Sequence, residues 1–294
     1  MTYLKAFLLG LVQGVAEFLP ISSSGHLAIA RNLLNMEGAG DIPEFFDVLL
    51  HLGTLIAVFI AYWSDIKDMV VEFFRGIRDL AHRTTPTPVP PARRLILLII
   101  IGTLPILIAG LLFKDAIEST LRNLWITVTV LIIFGILLWV VDARAKQVKT
   151  MDEMTWKDAL IFGIGQMLAL IPGVSRSGGT ITFGRAMGYT REAAVRVSFL
   201  MAIPAVFGAG ILEAVSAVKD VAAGNAGMFP GWGATIAATI VAFVVGYVVI
   251  IGFLKFVSTF SYKAFAIYRI ALAVVVALLL ICGVLHPTEV VAAA

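Results

Sequence analysis

The chain has 294 residues, a formal net charge of +3, 60% hydrophobic residues and only 14% charged ones. Soluble domains carry roughly 25% charged residues, so a mean hydropathy of +0.98 excludes a soluble enzyme and makes this a polytopic membrane protein. No basic stripe with interleaved aromatics occurs, which argues against a nucleic-acid partner.

The chain opens on "MTYLKAFLLGLVQG", which looks superficially like a signal peptide. No small-residue cleavage site follows, so the segment is read as retained. The apolar stretch over about 3–32 is interrupted by Pro20, a serine run and Gly25. Six later segments are apolar over about the twenty residues that a spanning helix needs. They are 45–63, 95–113, 122–141, 194–217, 232–256 and 265–285. Between the first two lies 64–93, amphipathic and then Pro-rich ("TTPTPVPP"), read as a loop outside the bilayer. The segment 142–157 is a second polar linker. A second interrupted stretch, 158–188, is broken by Pro172, Gly173, Gly178 and Gly179. The lone Cys282 lies in an apolar run, can form no intrachain disulfide, and reads as a small packed residue.

Unwound backbone at membrane depth is tolerated only where protein buries it or where it lines a wet cavity. The two interrupted stretches are therefore read as re-entrant hairpins; a broken spanning helix and an interfacial helix are the alternatives. They also resemble each other. "GLVQGVAEFLPISSSG" (10–25) aligns without gaps on "GIGQMLALIPGVSRSG" (163–178), at a constant offset of 153. Gln13 falls on Gln166, Ser22 on Ser175, Ser24 on Ser177 and Gly25 on Gly178, while Arg176 takes the place of Ser23. Three spans between the copies invert the second relative to the first. The expected fold is a single integral membrane domain, all-α. It has six transmembrane helices and two re-entrant hairpins in an inverted-topology repeat (1–141 and 158–285). Ten Lys and Arg residues crowd 64–94 and 142–157, against Lys114 and Lys219 in the opposite loops near 114–121 and 218–231. The positive-inside rule makes the basic side cytoplasmic, so the first hairpin opens outward and the second inward. Inverted repeats with broken helices place binding sites where the repeats meet.

"EFLPISSSGH" (17–26) concentrates Glu17, Ser22, Ser23, Ser24, Gly25 and His26 at such a break. An ionisable group at membrane depth is a functional candidate. Serine is a natural N-cap, and the free N–H groups of a helix start attract anions, phosphate above all. His26, three residues beyond Ser23, is spaced to take its proton or that of a water. In the second hairpin Gly173, Ser175, Ser177 and Gly178 let a ligand approach the backbone, and Arg176 can grip a phosphate in two-point geometry. Arg176 needs an anion, from Glu17 or from a phosphate. Asp47 and His51, one turn apart, either support this site or pair with each other. Arg185 and Arg191 read as interfacial anchors. Trp63, Trp139, Trp156 and Trp232 fit an aromatic belt. Gly/Ala patterns in 205–217 and 231–246 point to close helix packing, or to a homodimer face.

At "EFLPISSSGH" and "PGVSRSG", and at the flanks "FDVLLHLGTLIAVF" and "SFLMAIPAVFGA", nearly the whole chain resembles the undecaprenyl-diphosphatase family, the bacitracin-resistance integral membrane phosphatases. The resemblance implies hydrolysis of undecaprenyl diphosphate to undecaprenyl phosphate and inorganic phosphate. This recycles the lipid carrier of cell-wall synthesis at the outer face of the bacterial cytoplasmic membrane and confers bacitracin resistance. It further implies a divalent cation, magnesium or calcium, and catalytic roles for Glu17, Ser23, His26 and Arg176. Gln13 stands where some members carry a second glutamate, so Glu17 alone offers a carboxylate to the metal, with the Gln13 carbonyl beside it. Arg196 stands where some carry an acidic residue, and reads as a helix-end arginine. The preferred chemistry is attack by Ser23, assisted by His26 or Glu17; His26 or water as nucleophile remain open. A lipid-phosphate transporter is the rival reading.

Overall fold

A computed structural model describes residues 2–34, 44–84, 86–113, 117, 121, 123–222 and 231–287. The described residues form eleven α-helices and two short 3₁₀ turns, with no strand beyond one isolated bridge between Lys149 and Tyr189. In chain order the helices are α1 (Tyr3–Ala16), α2 (Ser23–Leu33), α3 (Glu44–Ala61), α4 (Trp63–Ala81), α5 (Pro91–Leu112) and α6 (Leu124–Arg144). Then come α7 (Trp156–Met167), α8 (Arg176–Ala186), α9 (Arg191–Ala222), α10 (Trp232–Thr259) and α11 (Lys263–Ile281). Five of them, α5, α6, α9, α10 and α11, are long and apolar enough to cross a membrane, and α3 with α4 makes a sixth if that bent pair is one span. The protein is thus a multi-pass, all-helical membrane protein. The loops near 114–121 and 223–230, with Lys114 among them, lie largely outside the described residues.

Helix packing follows small residues. α1 lies along α10, and α7 lies along α5. A Cβ on Gly10 of α1 would sit 2.4 Å from the Ala238 carbonyl, and one on Gly163 of α7 would sit 2.2 Å from the Gly102 carbonyl. These two glycines are 153 residues apart, so the two halves of the chain make the same close crossing in the same way. Gly53 of α3 meets the Thr239 carbonyl likewise. The small-residue face of 231–246 is therefore filled by α1 and α3 of its own chain. An aromatic core joins the halves: Phe18 meets Phe199 edge-on at 5.2 Å between ring centroids, and Phe253 packs with Tyr262 and Phe265 behind them.

Several expectations are corrected. The amphipathic stretch after residue 63 is a 19-residue helix, α4, turned 85° from α3. Glu72 and Asp79 on one side of α4 accept hydrogen bonds from Arg93 at 3.1 and 2.9 Å. Phe73, Phe74, Ile77 and Leu80 form an exposed apolar stripe. Its period is helical, which is why a helix rather than a loop forms. Arg185 and Arg191 are not interfacial anchors. Arg185 is 0% exposed, and both guanidiniums bond Asp142, at 2.8 and 2.9 Å. Asp142 also accepts from the Tyr262 N–H at 3.1 Å, fixing the ends of α6, α8, α9 and α11 together. Cys282 caps α11 and is exposed, not packed. Arg196 pairs with Asp65 at the start of α4.

Breaking a buried pair by removing one partner costs about 3–5 kcal/mol, because a buried charge is left uncompensated. Asp142→Ala, which strands Arg185, is expected to lower the thermal midpoint in detergent strongly and to reduce recovery of monodisperse protein. A midpoint equal to that of the unmodified chain would show that Asp142 holds nothing.

Candidate active site

The two interrupted stretches fold as two helix–turn–helix units, α1–α2 and α7–α8. Each second helix starts on a serine held in the left-handed region, Ser22 at φ 76° and Ser175 at φ 73°. In each, the serine Oγ accepts from the N–H three residues on, Gly25 at 3.3 Å and Gly178 at 3.1 Å. Each also pairs with a second hydroxyl, Ser22 with Ser24 at 3.3 Å and Ser175 with Ser177 at 3.2 Å. The same local sequence thus builds the same N-cap twice. Ser23 and Arg176 are the first residues of α2 and α8. Cap geometry therefore brings a hydroxyl and a guanidinium to equivalent places in the two turns.

The turns touch. Ser177 Oγ donates to the Leu19 carbonyl at 3.0 Å across a separation of 158 residues. Between them sits Glu17, at the C-cap of α1 and only 6% exposed. Its Oε1 accepts from Arg176 Nη2 at 3.1 Å and Nε at 3.3 Å. Its Oε2 accepts from Ser23 Oγ at 2.8 Å and from Gln13 Nε2 at 3.1 Å. One carboxylate therefore joins the serine of the first hairpin to the arginine of the second. Arg176 Nη1 donates onward to the Ser198 carbonyl at 3.1 Å, next to the Phe18–Phe199 contact that backs the site.

The other candidates fall as follows. Both ring nitrogens of His26 are engaged by groups other than Ser23: its Nδ1 lies 2.7 Å from the Ser22 carbonyl and its Nε2 lies 2.7 Å from the Tyr268 hydroxyl. A carbonyl only accepts, so Nδ1 carries the hydrogen. His51 Nε2 is 3.8 Å from Glu17 Oε2, with its Nδ1 on the Asp47 carbonyl at 2.8 Å. The Asp47 carboxylate pairs with Arg31 rather than with His51. Asp47 and His51 line a cleft of about 190 Å³ together with Ser23, Ser24, Arg31 and Thr127. The open faces of three expected ligand-approach glycines are taken by protein. A Cβ would lie 3.2 Å from Thr127 Cγ2 at Gly25, 2.8 Å from the Thr127 carbonyl at Gly173, and 2.9 Å from Arg269 Nη1 at Gly178. Gln13 Oε1 is buried with no hydrogen-bond partner, an orphan acceptor beside Glu17. Among the described residues no group of three or more His, Cys, Asp and Glu side chains is placed to hold a metal ion.

Sequence reasoning missed Arg269 and Tyr268, adjacent on α11. Arg269 is fully buried and bonds carbonyls of both turns. A signal was present: Arg269 is an ionisable residue within an otherwise apolar span, and such residues are functional candidates.

If Glu17 and Arg176 compensate each other, losing one should cost more than losing both. In a thermal-stability cycle, Glu17→Gln and Arg176→Met are each expected to destabilise, and the double variant to recover about 0.5–3 kcal/mol of the summed loss. Strict additivity would contradict the pairing.

Comparison with known proteins bears on this geometry. Over its full length the chain is 75% identical to an undecaprenyl-diphosphatase of Bifidobacterium adolescentis, all of which it covers. It is 61% identical to one of Bifidobacterium animalis subsp. lactis, over 98% of this chain and 97% of the relative. It is 48% identical to one of Paenarthrobacter aurescens, over 95% of this chain and 98% of the relative. The family described as "Bacitracin resistance protein BacA" matches residues 6–275, which takes in both turns and every candidate residue above. With a carboxylate, a serine and an arginine meeting at two paired helix starts inside that span, the chain belongs to the BacA family.

Proposed function

We propose that this chain hydrolyses undecaprenyl diphosphate to undecaprenyl phosphate and inorganic phosphate at the cluster of Glu17, Ser23 and Arg176. The observation that carries this reading is the convergence of Ser23 Oγ and the Arg176 guanidinium on the two oxygens of one buried carboxylate. Membership of a family whose relatives are named for that reaction supplies the substrate. Pure binding of a lipid phosphate needs no carboxylate on a hydroxyl, which favours an enzyme over a transporter.

In this mechanism the diphosphate displaces Glu17 from Arg176. The guanidinium takes two oxygens of the phosphate, and the first N–H groups of α2 and α8 take others. Glu17 keeps its contact with Ser23 and accepts its proton as Ser23 Oγ forms a bond to the terminal phosphorus. The anhydride P–O bond breaks, and undecaprenyl phosphate leaves with the bridging oxygen. Water then attacks the phosphoserine, Glu17 returns the proton to Ser23 Oγ, and inorganic phosphate departs. Phosphoryl transfer depends mainly on position and charge neutralisation, which this arrangement provides. The engagement of His26 by Ser22 and Tyr268 favours Glu17 as the base and assigns His26 to the shape of the turn. Ser22, Ser24, Ser175 and Ser177 act as caps that aim the N–H groups. Gly25, Gly173 and Gly178 let α6 and α11 pack against the turns.

A divalent cation, magnesium or calcium, fits the donor set if most of its ligands are phosphate oxygens and water. Glu17 and the orphan Oε1 of Gln13 would hold it. When bound it would neutralise charge on the diphosphate.

The same reading places the protein in the bacterial cytoplasmic membrane as six spans and two re-entrant hairpins in inverted repeats, 1–141 and 158–285. The matched serine caps and the matched Gly10 and Gly163 crossings support the repeat. The basic segments 64–94 and 142–157 would be cytoplasmic. The cleft beside Ser23 also touches Asn123 and Leu124, on the opposite side from those segments, which supports an outward-facing site. A homodimer would use the 205–217 face.

Purified protein in detergent is expected to release phosphate from a polyprenyl diphosphate, which needs no second compartment, and to lose that activity on chelation of divalent cations. Arg176→Lys, which keeps the charge and loses the fork, should lower kcat/KM by about 100-fold or more. Near-normal turnover by Arg176→Lys would remove the assigned role of the guanidinium. No phosphate release by the unmodified protein would point to transport.

A further inference from the structure

Arg269 is 0% exposed, yet its four acceptors are all backbone carbonyls. Nη1 donates to Pro20 at 3.1 Å and Val174 at 3.0 Å, Nη2 to Gly173 at 2.7 Å, and Nε to Leu131 at 3.4 Å. Pro20 belongs to the first turn, Gly173 and Val174 to the second, and Leu131 to α6. One planar fork thus reaches both hairpin tips, 249 residues away on one side and 96 on the other. Gly178 is what lets it in, since a Cβ there would lie 2.9 Å from Nη1.

The neighbouring residue does the same by proxy. The Tyr268 hydroxyl lies 2.7 Å from His26 Nε2, and His26 Nδ1 lies 2.7 Å from the Ser22 carbonyl. With the hydrogen on Nδ1, a neutral His26 accepts at Nε2 and Tyr268 donates. Directly or through His26, α11 therefore holds the carbonyls of Pro20, Ser22, Gly173 and Val174.

We propose that Arg269, with Tyr268 as its auxiliary, is a positioning residue that turns the carbonyls of both hairpin tips away from the phosphate. This rests on the reading of the site given above. A phosphate site made of backbone requires N–H groups toward the anion and oxygens away from it. A turn with serine and glycine can rotate its peptide units either way, and a carbonyl swung toward a diphosphate repels it. A guanidinium offers five donors in a fixed plane and can hold several carbonyls at once, where an ammonium on a flexible stem cannot hold the same spread. Burial in a medium of low dielectric makes the alternative costly, because released carbonyls and a released charge would both lack partners. Neither Tyr268 nor Arg269 needs to touch the substrate. Their effect is on the shape of the two turns.

The test compares unmodified protein, Arg269→Lys and Tyr268→Phe in phosphate release from a polyprenyl diphosphate, reading kcat, KM and inhibition by inorganic phosphate. Misplacement of a site by about 1 Å costs about 100-fold in rate, so Arg269→Lys should lose about 100-fold in kcat and bind phosphate more weakly. Tyr268→Phe, which removes one neutral hydrogen bond, should lose about tenfold in kcat with KM little changed. Folded Arg269→Lys protein with unmodified kcat and phosphate inhibition would overturn the proposal. If Arg269→Lys does not fold, Tyr268→Phe decides: unmodified kcat and phosphate inhibition there would overturn it. An unmodified protein that releases no phosphate would instead defeat the reading of the site on which this clamp rests.

Discussion

A single buried carboxylate joins the two halves of this protein. Glu17 gives one oxygen to Arg176 and the other to Ser23, and those two residues start helices 153 positions apart in the chain. Taking a guanidinium and a carboxylate out of water is expensive, and their attraction offsets the cost only with good geometry and satisfied lone pairs. Here both oxygens are used, and Gln13 Nε2 adds a further donor. In the mechanism proposed above, a diphosphate with more charge and more acceptor atoms takes the arginine from this pair. On that proposal Glu17 stays on the Ser23 hydroxyl, the contact it already makes at 2.8 Å.

Such a pair needs a backbone that does not move. Two unwound turns interrupt the helical hydrogen-bond ladder and leave backbone groups that need other partners. The protein satisfies them internally. Ser22 and Ser175 cap the helix starts, Ser177 bonds the Leu19 carbonyl, and Arg269 gathers carbonyls from both turns. Around them the helices cross at glycines, so that backbone rather than side chain sets the spacing. Asp142 closes the far end by holding Arg185, Arg191 and the Tyr262 N–H. Position is thus over-determined at both ends of the second hairpin.

Much of this was legible in the sequence, for local reasons. Length and apolarity fix a spanning helix, so the six apolar segments reappear as α3, α5, α6, α9, α10 and α11 with ends shifted by a few residues. Proline, serine and glycine break a helix, so both helix–turn–helix breaks were visible, as was the offset that pairs Ser23 with Arg176. What escaped notice depended on distant partners. His26 is three residues from Ser23, but Tyr268 on α11 and the Ser22 carbonyl claim its ring. Arg185 and Arg191 looked like interface anchors because Asp142 lies more than forty residues upstream. Arg269 carried a readable warning, a charge in an apolar run, but nothing local says that its partners are carbonyls of two separate turns. The α4 helix was missed because its Pro-rich continuation lent the whole segment the look of a loop, although Phe73, Phe74, Ile77 and Leu80 keep a helical period.

The most direct measurement is an experimental structure of the protein with inorganic phosphate or vanadate bound. The anion is expected between the two turns, within hydrogen-bond distance of both the Arg176 guanidinium and Ser23 Oγ, with Glu17 displaced from Arg176 but still on Ser23. An anion bound elsewhere, with the Glu17–Arg176 pair intact at saturating ligand, would contradict the claim that the two hairpins share one phosphate site.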